Sequence, residues 1–276
     1  MKYLLFESPK LWKDSATLAF AFLAAMETIM SVASISLESA DKWWVRLLLI
    51  ITVYCVLTIA ILLVKFLCAK KSITLYIRGI QVTVKQGDLF KANGWKLIPF
   101  NERFDTQVDD VVIAKNSLNG IFIEKYVGAD NVKELQQAVA DDDDESRTLF
   151  KRFTKGERWV YPLGRIKTYQ DYMLLAFTHF NEQNEAHITR AEYEHCLRVM
   201  WQEISRTYAN KPIALPLLGS GITRFDDSTV KSNKELLKCI LCTLRTSGVH
   251  INQPITILLT EKVVQEINLY ELKGVQ

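Results

Sequence analysis

An excess of charge of one sign is almost absent from this chain: 34 Lys and Arg stand against 31 Asp and Glu, leaving +3 over 276 residues. A nucleic-acid binder shows a basic patch or stripe that shifts the charge of its whole domain, so no nucleic-acid partner is expected. Cysteine is also sparse, with only Cys55, Cys68, Cys196, Cys239 and Cys242. Cys239 and Cys242 form a C-x-x-C inside the helical-looking stretch 234–245. Neither a second such pair nor a His pair accompanies them, whereas a structural zinc ion takes four ligands. No metal site follows, and buried thiols on a helix face in a reducing cytosol account for the pair. There are four histidines. His179 lies in an apolar run and faces either a ligand or the core, while His195 sits among polar residues and reads as solvent-facing.

Aliphatic sequence, by contrast, is plentiful and unevenly placed. The length allows one good-sized domain plus an appendage, and the first seventy residues hold much of the long apolar sequence. Residues 15–37 carry one charge, Glu27, and residues 47–64 carry none. A bilayer core of about 30 Å takes about 20 apolar residues at 1.5 Å each, so the two stretches predict a transmembrane hairpin over 1–71. Trp43 and Trp44 fall where an interfacial belt would lie. Lys2, Lys10 and Lys13 before the first span, with Lys65, Lys70 and Lys71 after the second, put both termini in the cytoplasm. The expected location is therefore an inner membrane, crossed twice. Glu27 either lines an oligomeric bundle that opens as a pore or is a protonated or snorkelling residue of a simple anchor; both readings stand at this point.

From residue 72 the periodicity changes. Ile73, Leu75 and Ile77, then Ile80, Val82 and Val84, alternate with polar residues around Arg78-Gly79, which is a hairpin pattern. Apolar runs at 95–100, 111–114, 172–180, 212–218 and 255–259 alternate with helical spacing at 131–140, 189–208, 234–245 and from Thr260 onward. Thr189 with Glu192 forms a capping box, and Asp226 to Ser228 offers a cap for the next helix. Asp141–Glu145, five acids in a row, reads as a solvated helix end or loop. Strands alternating with helices give an α/β layered fold, in which ligands sit beyond the carboxyl ends of the strands.

Two loops at that edge have phosphate chemistry. Leu217-Leu218-Gly219-Ser220-Gly221-Ile222-Thr223-Arg224-Phe225 follows a strand. Its glycines let backbone N–H groups approach an anion, a following helix N-terminus adds favourable charge, and Arg224 offers a bidentate contact. The second region runs from Asn101-Glu102-Arg103-Phe104-Asp105-Thr106 to Ser117-Leu118-Asn119-Gly120. Its residue types are also ordinary turn formers. Gln86-Gly87-Asp88 closes the first hairpin and places a carboxylate that could accept from an adenine amino group.

Taken in this order, G-D-L at 87–89, the Asn101 loop and G-S-G-I at 219–222 resemble the macro domain. The resemblance spans about Ile73 to Leu272. It implies a three-layer α/β/α domain with a mixed sheet over 72–276 and an ADP-ribose-type ligand in place of any cofactor. Carried over by position, Asp88 reads adenine. Asn101, Phe104, Asp105 and Thr106 line the distal ribose, and Ser117 to Gly120 with Gly219 to Phe225 cradle the diphosphate. The phrases N-E-R-F-D-T, S-L-N-G-I-F-I, Y-P-L-G (161–164) and L-L-G-S-G-I-T-R look like macro domains of antiphage defence, and a preceding hairpin looks like the effector of type II Thoeris systems. That resemblance implies a sensor rather than an enzyme. A partner TIR enzyme makes a histidine-linked ADP-ribose, the macro domain senses it, and homo-oligomers acting on membrane lipid then kill the host cell or arrest its growth. The alternative is a membrane-tethered ADP-ribosyl hydrolase with Asp105 as base, against which the family's N-A-A-N-like pattern is missing here.

Overall fold

The computed structural model describes residues 9–32, 43–69, 72–140, 147–152, 156–226 and 232–274; the acidic run Asp141–Glu145 lies outside them. The chain divides into two compact units: Met1–Ile73 together with Asn268–Gly274, and Thr74–Ile267 with the last two residues.

The first unit is a pair of helices, α1 (Pro9–Val32) and α2 (Trp43–Ala69), joined by the 3-10 turn Leu269–Gly274. Its small core is Leu11, Leu62 and Tyr270. Polar contacts pin the same end: the Tyr270 hydroxyl donates to Asp14 Oδ2 at 2.7 Å, and Lys65 Nζ donates to the Asp14 carbonyl at 3.0 Å. Burial, reinforced by the Asp14 carboxylate, pushes the Tyr270 hydroxyl pKa up.

The transmembrane hairpin does not stand. Among the described residues no helix is long and apolar enough to cross a membrane. In α1 the apolar part starts only after Lys10, Lys13 and Asp14 and meets Glu27. The inner-membrane location is therefore corrected, and Glu27 is an exposed residue of α1.

The second unit is built on one sheet. Its strands are β1 (Ser72–Ile77), β2 (Ile80–Gln86), β3 (Trp95–Asn101), β6 (Ile166–Tyr169), β7 (Tyr172–Phe180), β8 (Ala186–Ile188), β9 (Ile213–Pro216), β10 (Arg224–Phe225) and β11 (Ile255–Leu259). β4 (Thr148–Arg152) and β5 (Gly156–Val160) form a separate two-stranded ribbon. The main order is β1-β2-β11-β9-β3-β7-β8-β10, with β6 antiparallel on β7. β2, β11, β9, β3 and β7 all run parallel, and the sheet is mixed because β6 and β8 oppose β7. Consecutive residues of the inner strands are buried, as at Leu97-Ile98 and Met173-Leu174-Leu175. This is the pattern of strands covered on both faces.

One face packs Ile98, Phe100, Leu174 and Ala176 against Phe122, Ile123 and Leu135. These come from the short helix α3 (Leu118–Ile121) with its π-helical continuation Phe122–Val127, and from α4 (Val132–Ala140). Two longer helices carry the other large buried side chains: α5 (Arg190–Thr207) supplies Tyr193, Met200 and Trp201, and α6 (Asn233–Thr246) supplies Leu237, Ile240 and Leu241. Trp201 is fully buried and donates from its indole Nε1 to Thr243 Oγ1 at 3.2 Å. Thr189 and Glu192 close the expected capping box. The cap of α6 is Ser232 with Glu235, not Asp226 to Ser228; Asp226 instead faces His187 Nδ1 at 2.9 Å. The apolar run 111–114 forms no strand, because the Asp109 carboxylate takes the N–H groups of Val111 and Val112 and bends the chain into a turn. α7 (Glu261–Glu266) follows β11.

His179, on β7, faces neither a ligand nor the core alone. Its Nδ1 contacts Glu102, and its Nε2 lies 3.4 Å from Glu192 Oε1. The hydrogen bond to Glu102 raises the imidazole above its ordinary 6.5, against the opposing effect of burial.

Two outcomes follow from this packing. Trp201→Ala removes a fully buried indole and should lower the unfolding free energy by about 3–5 kcal/mol in a denaturant titration. The raised His179 pKa favours the imidazolium form in the fold, so its contribution is complete below the unfolded value near 6.5 and is lost as pH rises through the raised folded value. The stability gap between the protein and His179→Gln should therefore narrow across that window. A gap that widens with pH would contradict the assignment.

Candidate functional site

Five parallel strands end on one edge, and the segments that leave them enclose a cavity of about 810 Å³. This volume lies within the range of small-molecule sites. Each wall is set by local chemistry.

Beyond β2, Asp88 Oδ1 accepts from the Phe90 N–H at 3.0 Å and caps the 3-10 turn Leu89–Lys91. The other oxygen, Oδ2, is 3.9 Å from Lys91 Nζ, and the carboxylate stands at the cavity rim. A Cβ on Gly87 beside it would come within 2.7 Å of Leu258 Cδ2, a terminal methyl that would have to shift.

After the turn at 109–115, Ser117 caps α3, accepting from the Gly120 N–H at 3.0 Å. Gly120 packs so closely that a Cβ would lie 2.3 Å from the Ala114 carbonyl. Asn119 lines the cavity and is 9% exposed, and its Oδ1 accepts no hydrogen bond from the described residues.

The loop after β9 brings Leu217 to Thr223 along the cavity. Gly219 adopts φ +83°, which an L side chain resists. Ser220 Oγ donates to the Leu217 carbonyl at 2.7 Å, and the Tyr193 hydroxyl donates to the Leu218 carbonyl at 3.1 Å. The loop does not run straight into a helix as the sequence suggested. It passes through β10, and α6 begins only at Asn233.

Of the residues expected at the ligand, Asp88, Asn101, Ser117, Leu118, Asn119, Gly219, Ser220, Gly221, Ile222 and Thr223 line this cavity. Six do not. Phe104 is in the core against Tyr161, ring centroids 5.2 Å apart. Asp105 is 3% exposed, and its Oδ2 accepts from Asn101 Nδ2 at 2.7 Å. Thr106 accepts from Gln136 Nε2. Gly120 lies behind the wall it shapes. Phe225 packs on Tyr193 at 5.5 Å and props Gly219 from below. Arg224 pairs with Glu185.

Other lining residues were not singled out from the sequence. Phe90 and Tyr126 stack at 4.4 Å and 11° beside Asp88, and Lys125, Thr178, Asn184, Thr260 and Lys262 also contribute. Tyr126 and Lys125 are neighbours in sequence, and the π-helical turn Phe122–Val127 presents both to the cavity. π-Helical turns are frequent at functional sites, but their periodicity leaves no signature as plain as 3.6. Among the described residues no group of His, Cys, Asp and Glu is arranged to hold a metal ion.

Residues 82–260 match the family model for the macro domain of the Thoeris protein ThsA. The Thoeris protein ThsA of Bacillus amyloliquefaciens (strain Y2) is 40% identical over 235 residues, covering 82% of this chain and 78% of that protein. Among solved structures, the Oceanobacillus iheyensis macrodomain with MES bound superposes with a TM-score of 0.43 at 12% identity, covering 74% of this chain and 96% of that one. A point variant of the same macrodomain gives 0.42 at 12%, covering 74% and 92%. On the strength of the two sequence matches, the chain belongs to the Thoeris ThsA macro-domain family.

Proposed function

We propose that this chain is a non-catalytic sensor of an ADP-ribose-derived signal in antiphage defence, the signal being a histidine-linked ADP-ribose made by a partner TIR enzyme. The observation that carries the reading is convergence. Asp88, Asn101, Ser117 to Asn119 and Gly219 to Gly221 are distant in sequence and border one cavity. The chemistry of the walls runs in the order of such a ligand. A carboxylate and an aromatic pair suit a base at the β2 end, a glycine-lined backbone suits a diphosphate in the middle, and amide side chains suit a ribose beyond β3.

Two points support sensing over turnover. The only carboxylate in the Asn101–Thr106 loop that the sequence offered as a base, Asp105, does not line the cavity and is engaged by Asn101. No N-A-A-N-like pattern replaces it. The output is self-assembly through the helical unit, whose Phe20, Phe22, Leu48, Ile50, Val56 and Ile59 are exposed apolar surface that association would cover, with arrest or death of the host cell as its consequence. Binding drives that step only through a difference in affinity between the two assembly states.

Calorimetric titration of the purified full chain with ADP-ribose, with the product followed by mass spectrometry, tests the reading. Intact ligand should be bound and recovered. Asp88→Ala should weaken binding by about 1.5–3 kcal/mol, the scale of one hydrogen bond to a charged group. Gly219→Val should abolish binding through strain at the positive φ. Absence of binding sinks the proposal, and conversion of the ligand makes the protein a hydrolase.

A further inference from the structure

His179 does not line the cavity, yet it touches the supports of two of its walls. On β7 it stands between Thr178 and Phe180, both of which do line it. Its Nδ1 meets Glu102 Oε2, and its Nε2 lies 3.4 Å from Glu192 Oε1. Glu102 follows Asn101 in the loop after β3 and is 9% exposed. Its N–H donates to the Thr178 carbonyl at 2.9 Å, and its carbonyl accepts from the Tyr161 N–H at 2.8 Å. Glu192 stands in the first turn of α5, where its Oε2 accepts from the Thr189 N–H and hydroxyl at 2.9 and 2.7 Å. The next residue on that helix, Tyr193, donates from its hydroxyl to the Leu218 carbonyl at the start of the glycine loop. One imidazole therefore joins the loop that carries Asn101 to the helix that carries the glycine loop.

The two partners are of the same chemical kind, and that decides which form of the ring can bridge them. An ionised carboxylate only accepts hydrogen bonds, and a neutral imidazole has one donor and one acceptor. Only the imidazolium donates on both sides. A ring that loses its proton turns a lone pair toward one of the two carboxylates, and that side of the bridge opens. The hydrogen bond to Glu102 favours the proton, with burial opposing it. The other charged groups around the ring are Arg103, next to Glu102, and the His187–Asp226 pair on the β8 side. Arg103 Nη2 lies 3.7 Å from Glu102 Oε1, which leaves Oε2 to the ring. The His187 ring is centred 5.9 Å from that of His179, and its Nδ1 is 2.9 Å from Asp226 Oδ2, whose charge offsets any on that imidazole.

We propose that His179 is a positioning residue: its imidazolium clamps the loop after β3 to the helix that supports the glycine loop, and an ADP-ribose-type ligand binds the clamped form more tightly than the released one. The clamp rests on the ADP-ribose reading and deepens it by adding a proton as a second input to the same site. Walls already held in place cost a ligand less to order. The sign follows from linkage. Affinity is highest where His179 is protonated in the free chain, and it falls as pH rises through the raised value. Binding to a chain whose His179 is neutral draws a proton from solution, and the slope of log affinity against pH equals the number of protons taken up.

The test is calorimetric titration of the full chain with ADP-ribose from about pH 6 to about pH 9, a range that spans the ordinary histidine value and the region above it. Each pH is repeated in buffers of different ionisation enthalpy, so that protons taken up are counted directly. Wild-type affinity should fall by about five- to tenfold across the range, the lower part of the usual span for coupled sites, with net proton uptake on binding. His179→Gln should bind at every pH with the wild type's high-pH affinity and take up no proton. Glu192→Gln keeps the capping box, which accepts either residue at that position, but turns an amide donor toward Nε2, so the pH dependence should shrink while the helix stays. His187→Gln should leave the pH dependence in place. Overturning results are a pH-independent wild type, proton release on binding, or a pH dependence that survives in His179→Gln, including a uniform loss of affinity at all pH values. Failure of the wild-type chain to bind ADP-ribose at any pH would instead remove the reading on which the clamp rests.

Discussion

The rest of the second unit depends on a run of five parallel strands whose carboxyl ends share one edge. Parallel pairing forces every connection to return across a face of the sheet, which buries both faces and leaves only one edge where several loops can meet. The register shift between Phe100 and Asn101 adds a local bend at that edge. It turns Asn101 toward the cavity and lets its side chain collect the N–H groups of Arg103 and Asp105. The position of the site is thus a consequence of sheet topology, and the loops supply only its lining.

Within that lining, small residues and polar residues have separate tasks. Gly120 is there because the Ala114 carbonyl passes within 2.3 Å of where a Cβ would stand. Gly219 is there because the chain turns through φ +83° over Tyr193 and Phe225. Phe225 and Tyr193 support the loop from beneath, so residues that a motif would assign to the ligand hold the motif's shape instead. Arg224 is the sharpest case. Read from sequence it is a phosphate contact, yet strand pairing with β8 carries it past the loop and onto Glu185.

How far the sequence could be read follows from the range of the signals. Thr189 with Glu192 announces its helix within four residues, and the capping box is present. Tyr172–Phe180 is a buried strand because nine residues without a charge leave a central strand as the simplest placement. Local signals fail where a distant partner decides. Asp105 looks available as a base until Asn101 is seen to hold it. The 111–114 run looks like a strand until Asp109 takes its amides. Tyr126 and Lys125 give no local sign of facing a cavity, because only the π-helical turn presents both. The apolar stretches at 15–37 and 47–64 predicted membrane spans by composition, and no described helix meets the length and apolarity a span requires.

Two asparagines show how the same residue type divides between holding a loop and lining a cavity. Asn101 spends its amide on Asp105 and its carbonyl on two backbone N–H groups, which rigidifies the loop after β3. Asn119 keeps a buried carbonyl oxygen that accepts no hydrogen bond from the described residues. A buried acceptor left unpaired costs on the order of 1–3 kcal/mol, and the Asn119 oxygen is fixed in place by the packing of α3, with Gly120 tight against Ala114. A ligand hydroxyl donating to that oxygen would recover the cost on binding. On the proposed reading, that acceptor would favour the occupied state through an oxygen already in place before the ligand arrives.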